Sequence, residues 1–382
     1  MSRLGISEFR FILTIGFAAF ANSVPVFAAD PPTKTAAWDT IAPYFQPPAE
    51  FKDKFGSYRS PLLFDDGRRV QSAADWPKRR REILDAWNAL MGPWPPVIEK
   101  PKVDVLSKSR FEDFTQQRVR IEIAPKQTGE GWLLTPDGKG PFPAVLVVYY
   151  EPETSAGLNP KQPLRDFALQ LTRRGFVTLS IGTPGGNAWK PELGKAVCQP
   201  LSYHAYVAAN CWHVLANRPE VDAKRIGVMG HSYGGKWAMF AAALWKKFAA
   251  VAVSDPGIVF DEKRSNVNYW EPWYLGLDPE HPRPKAGIPS ESNPRTGAYK
   301  KMIAEKRDLH ELHALIAPRP FLVSGGSEDR PERWLALNHA VAVNKLLGQS
   351  NRVGMTNRKD HTPTEESNAQ IYAFFEHFLG KR

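Results

Sequence analysis

The pentapeptide Gly230-His231-Ser232-Tyr233-Gly234 lies where an apolar run, Arg225–Gly230, gives way to a helix-type segment that starts near Tyr233. Two glycines flanking a polar tip read as a strand, a tight turn and a helix, because a side chain at either glycine would strike the neighbouring backbone. The rest of the chain keeps the same rhythm. Apolar runs of strand length, Arg118–Ile123, Gly131–Thr135, Ala144–Tyr150, Val177–Ile181, Arg225–Gly230, Ala250–Ser254, Phe321–Ser324 and Arg352–Thr356, alternate with helical segments near 163–174, 201–217, 233–246, 331–347 and 364–379. This is the pattern of a mostly parallel sheet of about eight strands flanked by crossover helices. Ser232 then sits at the carboxyl edge of that sheet, facing the crevice where open α/β sheets bind ligands.

What precedes this core reads differently. Residues 1–28 run from a basic start (Arg3, Arg10) through the apolar stretch Phe11–Ala21 to Val26-Phe27-Ala28, the pattern of a secretory signal peptide. The apolar stretch is short for a bilayer span, and no Cys follows the cleavage site. A secreted or periplasmic protein with no stable membrane association after cleavage is therefore expected. Residues 29–110 read as an N-terminal arm, with Pro-rich Asp30–Pro48 as an extended surface segment, and a helix over Ala73–Met91 packing on the core. Residues 111–382 read as the main domain, carrying an insertion at about 256–318 after the sixth of these strands. So long a connection, rich in Pro, Gly and aromatics (Tyr269-Trp270-Glu271-Pro272-Trp273-Tyr274), suggests a lid or binding-site wall.

Charge and cysteine content narrow the function. With 50 basic against 40 acidic residues the net charge is +10, and the excess is scattered, which speaks against nucleic acid. Cys198 and Cys211 are the only cysteines, and they read as two buried free thiols. No zinc spacing is present. His310 and His313, at i and i+3, lack the His-Glu-x-x-His pattern and read as packing or helix-end residues. No cofactor or metal is expected, and the oligomeric state is not legible.

A serine hydroxyl at such a turn becomes a useful nucleophile when a histidine takes its proton and a carboxylate orients that histidine. In folds with this turn the chain order is Ser, acid, His. His361 follows the last strand in a loop and is the expected base; His339 and His377 lie on helices. Asp329, just after the Phe321–Ser324 strand, is the expected acid. Asp255, at the end of the preceding strand, is the alternative, with Glu328 and Glu332 as neighbours. The Tyr233 N–H should help hold an oxyanion, with a second donor from Tyr150 or Glu151. Lys236, a cation near the positive end of a helix dipole, breaks a local rule and is read as a substrate contact or as ordering a nearby acid. With Trp270 and Trp273 it would form a sugar-facing wall.

At Gly230-x-Ser232-x-Gly234-Gly235-Lys236, at Leu309-His310-Glu311-Leu312 through Ala317-Pro318-Arg319-Pro320, and at His361, the sequence resembles secreted α/β-hydrolase carbohydrate esterases. The likeness is to bacterial glucuronoyl esterases and acetylxylan-esterase-like proteins, and it runs from about Pro141 to the C-terminus. It implies the α/β-hydrolase fold, serine hydrolysis of an ester on a plant cell-wall polysaccharide, and a sugar contact for Lys236. Glucuronoyl esterases carry Cys before and Arg after the nucleophile, where this chain has His231 and Tyr233. The Ser232-Tyr233-Gly234-Gly235 run is also similar to the nucleophile motif of prolyl-oligopeptidase-type peptidases, usually preceded by a β-propeller; no blade repeat stands ahead of the hydrolase pattern here. A secreted peptidase of that type is one alternative. A catalytically inactive, carbohydrate-binding hydrolase fold is another, and the intact Ser, acid and His set argues against it.

Overall fold

The computed structural model describes residues 35–380; the expected signal peptide lies outside them. Nine strands form one sheet: β1 (Val103–Phe111), β2 (Phe114–Ala124), β3 (Gln127–Pro136), β4 (Phe142–Val148), β5 (Val177–Ile181), β6 (Val221–His231), β7 (Val251–Ser254), β8 (Phe321–Gly325) and β9 (Val353–Asn357). Their order is β1-β2-β3-β5-β4-β6-β7-β8-β9. Pairings from β1 to β5 are antiparallel, and those from β5 through β4 to β9 are parallel. The helices are α1 (Ala36–Ile41), α2 (Trp76–Met91), α3 (Pro152–Ser155), α4 (Phe167–Thr172), α5 (Pro200–Ala216), α6 (Tyr233–Leu244), α7 (Gly297–Ala304), α8 (His310–Ile316), α9 (Trp334–Leu346) and α10 (Glu365–Leu379). This is the α/β-hydrolase fold.

The parallel strands are buried over most of their paired length because both faces are covered. Along β4, Leu146 and Val148 enter one hydrophobic cluster, with Trp87 of α2, Tyr206 of α5 and Trp237 of α6. Val145 and Val147 point the other way, into a second cluster with Phe167 of α4 and Phe374 of α10. The same two-residue alternation repeats at Val251/Ala252 and Phe321/Leu322. Every β-type run expected from the sequence is a strand. The extra one, β1, is largely exposed and carries Asp104, Lys108 and Arg110, so hydrophobic periodicity does not mark it.

Two expectations are corrected. The Pro-rich arm folds from Thr35 onward: the Thr35 hydroxyl caps α1 by accepting from Trp38 N at 3.0 Å, and Trp38 stacks on His377 of α10 with ring centroids 4.7 Å apart. Pro43 falls in the first turn of the following 3-10 helix, where a missing N–H costs nothing. The aromatics of the long connection after β7 join the main core, with Tyr269 stacked on Phe240 of α6. Tyr269, Trp270, Tyr274 and Tyr299 are all buried, and Phe260 packs edge-on against Tyr269 and Tyr299. Helix α2 is tied to α8 by a hydrogen bond of 2.7 Å from Trp87 Nε1 to the buried Glu311 carboxylate.

Candidate active site

Strand β6 ends in the tight turn to α6. A Cβ on Gly230 would lie 2.2 Å from the Gly234 carbonyl carbon, and one on Gly234 would lie 2.0 Å from the Val148 carbonyl oxygen. Ser232 takes φ 55° and ψ −118° at the tip. For a residue with a side chain this is a strained conformation, and such strain clusters at functional sites.

His361 follows β9, and its Nε2 is 2.8 Å from Ser232 Oγ. Its Nδ1 is 2.8 Å from Oδ2 of Asp255, a fully buried carboxylate just past β7. The structure thus brings Ser232 and His361 together as expected but places Asp255, not Asp329, on the histidine. Asp329 faces away, accepting from Gly257 N at 2.8 Å and Ile258 N at 2.6 Å. The loop after β8 still serves the acid through its backbone: Asp255 Oδ1 accepts from the N–H groups of Gly326 at 2.7 Å, Glu328 at 3.1 Å and Asp329 at 2.8 Å. Three backbone donors fix that carboxylate in place beside His361. At Asp329, burial first, then the nearby Asp255 charge, pushes the carboxyl up to about 6.

Tyr233 starts α6 directly after Ser232, and its buried phenol lies 2.7 Å from His204 Nε2. Tyr150, just after β4, has its hydroxyl at Ser232. Burial pushes that phenol above its ordinary range, which keeps it a neutral donor. Buried His231 packs 4.7 Å from the His361 ring, with Nδ1 3.1 Å from the Ser254 carbonyl. Burial, reinforced by the His361 charge, holds it well below its usual value, so it stays neutral.

The proposed sugar-facing wall is not assembled as expected. Trp270 is 1% exposed in the main hydrophobic core, and its Nε1 donates to Glu271 at 2.9 Å. Trp273 is half-buried against Tyr274. Lys236 is 3% exposed and donates to the backbone carbonyls of Pro256 and of Asn266, the latter at 3.1 Å. His310 and His313 are buried, and among the described residues no group of three or more His, Cys, Asp or Glu could hold a metal ion. Cys198 and Cys211 are both buried and unpaired.

Sequence reasoning missed Arg358 and Trp189. Arg358 donates to the His361 carbonyl at 2.6 Å, to the Ser324 carbonyl at 2.9 Å and to Ser254 Oγ at 3.3 Å, bridging the histidine loop to the ends of β7 and β8. Its position three residues before His361 was the available signal. Trp189, in the long β5–α5 loop, is 66% exposed, and its ring centroid is 6.1 Å from that of Tyr150. Tyr150 also lines a cavity of about 360 Å³ with Glu151, Glu153, Gly182 and Thr183, and Trp189 is not part of its wall. Among the described residues no helix is long and apolar enough to cross a membrane.

Comparison with solved structures places the chain near esterases of this fold. A glucuronoyl esterase from Solibacter usitatus superposes with a TM-score of 0.67 at 19% identity, covering 85% of this chain and 98% of that one. A promiscuous esterase from a marine bacterial metagenome gives 0.66 at 17%, covering 85% and 97%. A carbohydrate esterase family 15 glucuronoyl esterase from Caldicellulosiruptor kristjansonii gives 0.60 at 22%, covering 86% and 92%. No curated protein matches the sequence. The family model described as the prolyl oligopeptidase family, Peptidase S9, matches residues 167–382. That match spans more than half of the sequence, including Ser232, Asp255 and His361, and the chain belongs to the prolyl oligopeptidase family.

Proposed function

We propose that this protein is a serine esterase that cleaves a carboxylic ester on a plant cell-wall carbohydrate through an acyl-enzyme. The observation that carries the reading is the unbroken run of two 2.8 Å contacts from Ser232 through His361 to Asp255. Ser232 Oγ attacks the ester carbonyl carbon while His361 Nε2 takes the hydroxyl proton. Asp255 holds the imidazole in the required tautomer and stabilises its cationic form. The Tyr233 N–H and the Tyr150 hydroxyl donate to the oxyanion. Collapse of the tetrahedral species expels the alcohol, protonated by His361. Water, deprotonated by the same histidine, then releases the acid and restores Ser232.

Carbohydrate as the substrate class is supported by the glucuronoyl esterases among the fold's neighbours. The exposed Trp189 ring beside Tyr150 adds an aromatic face that suits a sugar ring. The family match makes peptidase activity the competing reading. All nine strands lie in one sheet, and the region ahead of β4 contributes to that sheet and to its helical packing, which favours the esterase.

The test compares the purified protein with its Ser232→Ala variant on benzyl glucuronoate, an acetylated xylo-oligosaccharide and a proline-containing peptide p-nitroanilide. Serine-dependent turnover of either carbohydrate ester supports the reading and identifies the acyl group. Turnover of the anilide alone replaces it with a peptidase.

A further inference from the structure

We propose that Lys236 is a positioning residue that holds the turn carrying the triad acid and makes no contact with substrate. The inference rests on Asp255 being that acid. Asp255 has φ 50°, in the left-handed region, and it precedes Pro256, whose ring favours an extended residue before it. Two local preferences are therefore broken at the residue that orients His361, and such a conformation persists only where its surroundings enforce it. Pro256 supplies the first backbone carbonyl after Asp255, and the Lys236 ammonium donates to it.

Lys236 also ties the acid turn to the nucleophile. Its own backbone N–H donates to the Ser232 carbonyl at 3.1 Å, so one residue grips the backbone at Ser232 and just beyond Asp255. The ammonium is held in place by the Asn266 carbonyl at 3.1 Å and by the ring faces of Tyr269 at 4.9 Å and Tyr274 at 5.6 Å. These groups leave it 3% exposed. The carboxyl groups of Asp329, Glu328 and Asp255 face it and favour its charge, yet burial outweighs them and lowers it to about 8. Loss of that proton weakens the grip on Pro256, so alkaline pH should loosen the acid turn.

The experiment measures kcat and KM for wild type, Lys236→Met and Ser232→Ala on p-nitrophenyl acetate and on the carbohydrate ester that the enzyme turns over. A positioning role predicts that Lys236→Met lowers kcat at least tenfold on both substrates with KM within about twofold. It also predicts a wild-type kcat that falls through pH about 8, a limb missing from the variant. A rise in KM confined to the carbohydrate ester would show a substrate contact and overturn the inference. So would unchanged kcat in a folded variant, or a wild-type kcat flat to pH 9.5, a measurement that stands even if Lys236→Met does not fold. Wild-type rates in Ser232→Ala would instead sink the triad itself and this inference with it.

Discussion

The carboxylates of Asp255 and Asp329 each accept hydrogen bonds from the backbone of the other's turn. The Asp255 carboxylate accepts from the Asp329 N–H at 2.8 Å, while the Asp329 carboxylate accepts from the N–H groups of Gly257 and Ile258, two and three residues beyond Asp255. Each acid thus shapes the other's turn, and His361 contacts Asp255. Asp255→Asn should lower kcat by about 10⁴-fold through the wrong histidine tautomer, with the fold intact. Asp329→Asn keeps an acceptor oxygen for one N–H and should cost less than about tenfold, mainly as lost stability. Steady-state kinetics and thermal midpoints on the two variants separate these roles; a larger kcat loss at Asp329 would reverse the assignment.

Arg358 braces the histidine loop from behind. Arg358→Met removes its bonds to the His361, Ser324 and Thr362 carbonyls, so the imidazole should be held less well. Since misplacement of about 1 Å costs about 10²-fold in rate, a kcat loss of roughly ten- to a hundredfold with little change in KM is expected on p-nitrophenyl acetate. A kcat equal to wild type would show that the loop needs no brace.

The two tryptophans should behave in opposite ways. Trp270→Ala removes a ring that is 1% exposed and should cost about 3–5 kcal/mol of stability, as large core truncations do. Trp189→Ala removes an exposed ring beside Tyr150 and should leave the thermal midpoint within about a degree while raising KM on a polymeric substrate several-fold, sparing a small ester. Equal kinetics on both substrates for Trp189→Ala would exclude it from the cleft.

Acid should unfold this protein partly through buried histidines. His310 Nε2 donates to the Arg59 carbonyl at 2.7 Å, His339 Nε2 to the Phe55 carbonyl at 3.0 Å, and their rings lie 5.0 Å apart. Burial lowers each from 6.5 to about 4. Because the folded values are depressed, the unfolded chain binds more protons below pH 6.5, and stability declines as pH falls from 6.5 toward 4. Thermal midpoints measured between pH 7 and 4.5 should drop, and less steeply in His310→Gln. Identical slopes would assign the acid sensitivity elsewhere.

The parallel strands and the Ser232 turn were legible because both-face burial writes apolar runs, and because Gly230 and Gly234 leave no room for a Cβ. His361 followed from chain order. The acid did not: Asp255 and Asp329 both follow parallel strands, and the choice depends on which carboxylate faces His361, a matter of the φ of 50° at Asp255 that composition does not encode. Trp270 was misread because an aromatic-rich connection looks alike whether it lines a cleft or packs into the core. Lys236 was visible as a break in helix-dipole preference, but the carbonyls of Pro256 and Asn266 that receive it come from a turn and a loop whose approach only the folded chain reveals.

The contacts from His361 to Ser232 and to Asp255 span 129 and 106 residues of sequence, and they join the ends of β6, β7 and β9. No local segment can bring His361 to either partner. During refolding, helices that form from nearby residues should return ellipticity early, whereas the triad can exist only after the parallel pairings from β6 to β9 have closed, the slow kind of contact. Turnover is therefore a late clock for this chain, and regained activity should trail regained helicity.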